Sequence, residues 1–142
     1  MKRRHGIALW ILVALFALRV AGQALVESGF KTALPPRELW QSGLLPYPLL
    51  LASQIVLLAI MCREAARVFS LRVGPRNLLG SQLASCGAVY AALMAVRAVA
   101  FASASLKGIL FYGGPIPILF HLVLAGFLSV LGRFHLQAMK PS

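Results

Sequence analysis

The chain has 142 residues, of which 60% are hydrophobic and only 12% charged, and its mean hydropathy is +0.84. Soluble domains carry about a quarter charged residues, and a water-soluble core of this size cannot hide so much apolar surface. Composition therefore excludes an ordinary soluble domain. The net charge of +11 would suggest nucleic acid in a soluble chain. Here the basic residues fall between apolar runs, so we expect a membrane protein with no nucleic-acid partner.

Four apolar runs are each long enough for a membrane-spanning helix, which needs about 20 mostly apolar residues. They cover roughly residues 6–26, 45–62, 80–105 and 115–133. The first run follows a basic N-terminal segment, but it is longer than the apolar region of a signal peptide, so we interpret it as an uncleaved helix. The sequence predicts an all-α integral membrane protein, a four-transmembrane-helix bundle that forms a single domain over residues 1–142.

The two halves of the chain share a pattern that makes two tandem helical hairpins a candidate arrangement. The first half contains LRVAG and then SGLLPYPLLLASQ, and the second contains VRAVA and then YGGPIPILFHLV. Each half has an arginine in its first helix, and its second helix begins at a Pro-x-Pro, where the missing N–H of proline costs nothing. Two membrane helices that simply start alike would show the same pattern, so duplication is one of two interpretations.

Lysine and arginine are distributed unevenly between the two sides of the predicted bundle. One side has only Lys31, Arg37 and Lys107. The other side has nine basic residues: Lys2, Arg3, Arg4, Arg63, Arg67, Arg72, Arg76, Arg133 and Lys140. The positive-inside rule then places both termini in the cytoplasm, and we expect a multi-pass protein of the bacterial inner membrane in contact with anionic lipids. Trp40 and Tyr47 would lie near the outer interface.

Each predicted span contains a polar residue at a similar depth in the outer leaflet. A rise of about 1.5 Å per residue places these residues roughly 9–12 Å below the outer boundary. Residues four or seven positions away share their helix faces, which adds further glutamine and tyrosine side chains. We predict a ligand-binding pocket formed by seven polar residues: Arg19, Gln23, Tyr47, Gln54, Tyr90, Arg97 and His121.

Arg19 and Arg97 lie within apolar runs, where an arginine costs about 2.5–3.5 kcal/mol on insertion scales. One interpretation is that each side chain lies in lipid and reaches for the interface. Side chains lean toward the N-terminus of their helix, which for both arginines is away from the nearer interface. The other interpretation is that both point into the bundle and bind the phosphate or carboxylate of a ligand, which suits the planar guanidinium.

The third predicted helix carries many small residues, among them Gly80, Ala84 and Gly87. Small residues let membrane helices approach each other closely. We therefore expect this helix to be the tightly packed, central helix of the bundle.

No motif of the sequence indicates a cofactor or a metal site. Haem held by two histidines would need a second histidine beside His121 inside the membrane, and His5 and His135 lie at the opposite side. Cys62 and Cys86 form no C-x-x-C pair, and the chain contains no P-loop, Gly-rich dinucleotide motif or H-E-x-x-H. His121 is either a hydrogen-bonded packing residue or a general acid or base.

Three functions remain open at this point. In the leading one, the pocket binds an amphipathic anionic ligand such as a phospholipid, an isoprenoid phosphate or an acyl carboxylate. In the second, the chain is an accessory or structural subunit that contacts a partner membrane subunit or copies of itself. In the third, it is a membrane enzyme in which His121 transfers a proton while Arg19 and Arg97 hold a phosphate or an oxyanion. The lack of a catalytic motif favours the first two.

Overall fold

A computed structural model describes residues 2–29, 40, 46–70, 74, 76–103 and 115–137 of the chain. These residues form four α-helices: α1 over Lys2–Glu27, α2 over Tyr47–Phe69, α3 over Asn77–Ala102 and α4 over Pro115–Gln137. By length and composition, each helix is a candidate membrane span. The predicted all-α helical bundle is therefore supported, and the four spans indicate a multi-pass membrane protein.

The helices extend further than the predicted spans at their arginine-rich ends. α1 begins at Lys2, α2 continues past residue 62 to Phe69, and α4 continues past residue 133 to Gln137. A hydropathy run stops at the first charges, whereas the hydrogen bonds of a helix continue as long as its side chains can reach water. At its other end α3 stops at Ala102, because the backbone of Ser103 is extended, although its N–H still donates to the carbonyl of Val99.

Glycine and proline mark two of the helix boundaries, as the sequence indicates. α1 ends before Gly29, whose φ of +90° lies in the left-handed region that closes many helices. α2 is preceded by Pro46, and a further proline occupies its first turn. A proline there loses no helical hydrogen bond, since the first N–H groups of a helix have no partner within it.

The order of the helices across the bundle is α2, α1, α4 and α3. α1 packs on both α2 and α4, while the main partner of α3 is α4. The start of one helix meets the end of its neighbour in three places: Gly6 against Phe69, His5 against Phe134, and Gly80 against His135. Neighbouring helices are therefore antiparallel. The two predicted hairpins, α1 with α2 and α3 with α4, are each a packed pair, and the two pairs contact each other through α1 and α4.

The antiparallel order brings the basic helix ends together. α1 starts, α2 ends, α3 starts and α4 ends at this side of the bundle, which we call the basic end. Its arginines within the described residues are Arg3, Arg4, Arg63, Arg67, Arg76 and Arg133. The described arginines that were predicted to lie on one side are thus found at one end of the bundle. The orientation of the basic end toward the cytoplasm stays a prediction.

The apolar core lies along α1. Its buried residues Leu9, Val13, Phe16 and Val20 follow each other at alternating steps of four and three. This spacing keeps one seam of a helix against its neighbours, as in coiled coils. The seam packs against side chains of the two flanking helices: Met61, Ala65, Val68, Phe127, Leu131 and Phe134.

The prediction that the third helix is central is wrong. In the most apolar stretches of α1 and α4, 39% of the residues are buried inside the protein, against 11% for α3. The small residues of α3 act in a single close contact with α4 instead. A Cβ added to Gly132 of α4 would lie 2.5 Å from the backbone N of Ala84 and 2.9 Å from the carbonyl oxygen of Gly80. Small residues thus permit close approach to one neighbour, but they do not place a helix in the middle.

Candidate ligand groove

α2 and α4 both pack on α1 rather than on each other, which leaves a groove between them. The groove has a volume of about 690 Å³. α1 forms its floor with Phe16 and Arg19. The polar side chains of its lining are Arg19, Ser53, Gln54 and His121, and the remainder is apolar. A volume of this size lies within the range of pockets that hold one small-molecule ligand.

Arg19 is buried by protein, with only 7% of its surface exposed. Its Nη2 donates to the carbonyl oxygen of Trp40 over 3.5 Å, which is a long and therefore weak hydrogen bond. The guanidinium carbon lies 5.4 Å from the centre of the Phe120 ring, within the range of a cation–π contact. Its Nε is buried and has no hydrogen-bond partner among the described residues. Arg19 therefore points into the protein and keeps unused donor capacity.

Sequence reasoning missed the role of Trp40 at this site. The residue is buried, and its ring covers α1 at Gly22, where an added Cβ would lie 2.6 Å from Cη2 of Trp40. The nearby carbonyl of Trp40 then accepts the hydrogen bond from Arg19. The available sequence signal is a glycine within α1 only three positions after the arginine, because glycine in a helix interior often marks a close approach of another group.

Gln23 and Gln54 connect α1 and α2 next to Arg19. The Nε2 of Gln54 donates to the Oε1 of Gln23 over 3.3 Å, and both side chains are buried. This bond uses the nitrogen of one amide and the oxygen of the other, which leaves one nitrogen and one oxygen. The Nε2 of Gln23 and the Oε1 of Gln54 are buried without a hydrogen-bond partner among the described residues.

Tyr90 and His121 connect α3 and α4. His121 lines the groove, whereas Tyr90 is not a lining residue. The hydroxyl of Tyr90 lies 2.5 Å from Nδ1 of His121, and the two rings meet edge to face with centres 5.8 Å apart. Because Tyr90 occupies Nδ1, Nε2 is the ring nitrogen left for a ligand in the groove.

The predicted site residues thus occupy three different positions. Arg19, Gln54 and His121 line the groove. Gln23 and Tyr90 are hydrogen-bonded to two of these residues from outside the lining. The other two predicted residues, Tyr47 at the start of α2 and Arg97 on α3, are half-buried and are not among the lining residues. Ligand binding by any of the seven stays a prediction.

The cysteines lie apart from the groove. Cys62 is half-buried, Cys86 is exposed, and both are free thiols. Within the part of the chain that the structure describes, no three His, Cys, Asp or Glu side chains are grouped so that they could hold a metal ion.

Comparison with known protein families, with curated proteins and with solved structures finds no match to this chain.

Proposed function

We propose that this chain is a small four-helix membrane protein whose groove binds an amphipathic anionic ligand. The head of the ligand lies at Arg19, Gln54 and His121, and its apolar body lies along the remaining lining. The protein is placed in a bacterial inner membrane with both termini in the cytoplasm, so the groove opens in the outer leaflet. The basis for this placement is the excess of lysine and arginine at the basic end.

The observation that carries the proposal is that Arg19 is buried and has few hydrogen-bond partners. A guanidinium loses its hydration on burial, and the loss is costly unless hydrogen bonds or an anion replace the water. Its described partners are one long hydrogen bond to a carbonyl and one ring. The described lining of the groove contains no carboxylate. An anionic head supplied by a ligand would provide the charge and the acceptors that the protein does not provide there.

The test compares Arg19→Met with Arg133→Met. The first variant removes the charge in the groove while keeping an unbranched stem, and the second removes an exposed charge at the basic end. Protein extracted in a mild detergent is analysed for bound lipids by native mass spectrometry. We expect wild-type protein and Arg133→Met to retain an anionic amphiphile. Arg19→Met should retain at least about tenfold less, since a hydrogen bond to a charged group contributes about 1.5–3 kcal/mol.

Equal recovery of anionic lipid from both arginine variants would contradict the proposal. Thermal unfolding of each variant serves as the control for folding. An Arg19→Met protein that unfolds at the wild-type temperature but has lost its lipid supports a binding role and not a structural one.

A second function, as a subunit of a membrane complex, is favoured by the free side of α3. Small residues recur there at steps of four and three, and all are exposed: Ser81, Ser85, Ala88, Ala92 and Ala95. The adjacent side of the helix, which contacts α4, uses the same kind of residue. Such spacing lets two membrane helices pack closely, so this side of α3 suits a second copy or a partner helix.

Disulfide crosslinking tests this second function with Ser85→Cys, which places a thiol on the small-residue side of α3. In the background Cys62→Ser/Cys86→Ser, oxidation in native membranes should crosslink Ser85→Cys between neighbouring copies. Ile11→Cys in a background without other cysteines is the control. Ile11 is exposed on α1. It lies at a similar level along the bundle, because its neighbour Leu12 lies beside Gly126 of α4, and the adjacent Ala125 contacts Gly87 of α3. Equal crosslinking at both positions would indicate random collisions and contradict the interface.

A further inference from the structure

The lining of the groove changes character along its length. The polar residues Arg19, Ser53, Gln54 and His121 form the middle of the lining, where the Ser53 hydroxyl donates to the carbonyl of Leu50 in its own helix. Toward the basic end, the lining continues with apolar residues: Phe16, Leu57, Ile60 and Leu124. Away from the basic end it is again apolar, with Leu49, Leu50 and Pro117. With a rise of about 1.5 Å per residue, the apolar stretches begin within roughly 5–8 Å of the polar residues on each side.

This layout restricts what can be attached to the anion. A glycerophospholipid has ester carbonyls on one side of its phosphate and, in most headgroups, a further polar group on the other. Both would lie against leucine, isoleucine, phenylalanine or proline side chains and lose their hydrogen bonds to water. A ligand that ends in its anion and continues directly into one hydrocarbon chain avoids both losses.

The unsatisfied polar atoms restrict the anion itself. Arg19 offers donors, as an anion requires. Gln54 is 6% exposed, and its Oε1 is a buried acceptor without a hydrogen-bond partner among the described residues. If the two glutamine amides are turned, the bond between them reverses and the same counts remain: one donor and one acceptor stay unsatisfied. A ligand head that satisfies both Arg19 and the unsatisfied carbonyl must therefore carry a negative charge and an O–H group.

A phosphate monoester is such a head, because its monoanion has charged oxygens for Arg19 and an O–H for a glutamine carbonyl. An ionised carboxylate and a phosphodiester have acceptors only. We infer that the groove is built for a single hydrocarbon chain that ends in a phosphate monoester, with Arg19 binding its charge and the Gln23–Gln54 pair accepting the hydrogen bond from its O–H group. This inference rests on the proposed function and specifies its ligand class.

The test uses ligands that share one chain and differ only at the head. Hexadecyl phosphate, hexadecyl methyl phosphate and palmitate are titrated into the detergent-solubilised protein at pH 5, below the second pKa of a phosphate monoester, about 6, so that the monoanion predominates. Phosphatidylglycerol is the glycerophospholipid comparison. Bound fractions are measured by native mass spectrometry. The methyl ester has the same chain and a single negative charge but lacks the O–H, so its comparison with hexadecyl phosphate isolates the predicted hydrogen bond.

We expect hexadecyl phosphate to bind about tenfold more tightly than its methyl ester, the size of one hydrogen bond to a group that is otherwise unsatisfied. Phosphatidylglycerol and palmitate should also bind more weakly. In the double variant Gln23→Leu/Gln54→Leu, the monoester and its methyl ester should bind equally. In Arg19→Met, every anionic ligand should bind more weakly.

The outcomes separate this inference from the proposed function. If the methyl ester, palmitate or phosphatidylglycerol binds wild-type protein as tightly as hexadecyl phosphate, and Arg19→Met weakens all of them, the monoester assignment is wrong while the groove remains an anion site. If none of the four ligands binds in a way that depends on Arg19, the proposed function itself is wrong.

Discussion

At the scale of single residues, the polar side chains inside this bundle differ in how well the protein satisfies them. Tyr90 and His121 form a short hydrogen bond with each other. Gln23 and Gln54 form one bond and leave one donor and one acceptor over. Arg19 has one long bond and a ring contact. Three buried atoms without a hydrogen-bond partner among the described residues, Arg19 Nε, Gln23 Nε2 and Gln54 Oε1, therefore lie in or beside the groove, while His135 Nδ1 lies at the basic end.

The glutamine pair allows a prediction at this scale. Gln54→Leu should destabilise the protein by about 1–2 kcal/mol, because it leaves Gln23 buried with no partner for its amide. Gln23→Leu should have a similar effect. The double variant should be close to wild type in stability, since no unpaired amide then remains. A denaturant-unfolding series in detergent, analysed as a double-mutant cycle, measures the coupling between the two residues.

The control for this cycle is Gln82→Leu, which changes an exposed glutamine on α3 and should alter stability by less than about 0.5 kcal/mol. Additive effects of the two buried substitutions would mean that the side chains do not interact across the α1–α2 contact.

At the scale of helices, the contact between α3 and α4 depends on the lack of side chains. Gly80 and Gly87 on α3 and Gly132 on α4 each have backbone atoms of the other helix within 3.1 Å of the place where a Cβ would be. Without a hydrophobic driving force between helices in lipid, such close van der Waals packing is a main source of association. The contact also fixes the Tyr90–His121 bond, since both residues lie further along the same two helices.

Two glycines of α4 provide a matched prediction for this contact. Gly132→Ala should destabilise the protein by about 1–3 kcal/mol, because the added methyl group meets backbone atoms that can move only if the helices separate. Gly126→Ala should be neutral or stabilising, since its Cβ would meet only side-chain carbons of Leu12 at 3.7 Å or more. Alanine is also the better helix former by about 1 kcal/mol. Thermal unfolding of both variants measures the difference, and equal melting temperatures would rule out the close contact.

At the scale of the whole molecule, the antiparallel bundle places the described arginines of the helix ends on one side. The positive-inside rule predicts that this side is cytoplasmic. The exposed residues Asn77, at the basic end, and Ser28, at the opposite end, are suitable for testing the orientation. In a background of Cys62→Ser and Cys86→Ser, we expect a membrane-impermeant maleimide to label Ser28→Cys in intact cells. Asn77→Cys should be labelled only after the membrane is permeabilised.

The reverse labelling pattern would invert the topology and place the groove in the inner leaflet. The ligand class would be unaffected by that result, because it depends on the chemistry of the lining. The source of the ligand would change from the outer to the inner leaflet.

The sequence by itself determined the helices and their approximate ends, because a bilayer requires about 20 consecutive apolar residues and satisfied backbone hydrogen bonds. It also predicted a similar depth for Arg19, Gln54, Arg97 and His121, since helical rise converts position into height, and all of these except Arg97 line the groove. Only the tertiary structure decided which helix is central and which faces are covered. Lipid-facing and protein-facing residues are equally apolar here, so periodicity does not distinguish them, and the small residues of α3 fit one close neighbour as well as several. The burial of Trp40 over Gly22, and with it the partner of Arg19, was likewise decided by contacts between residues distant in the chain.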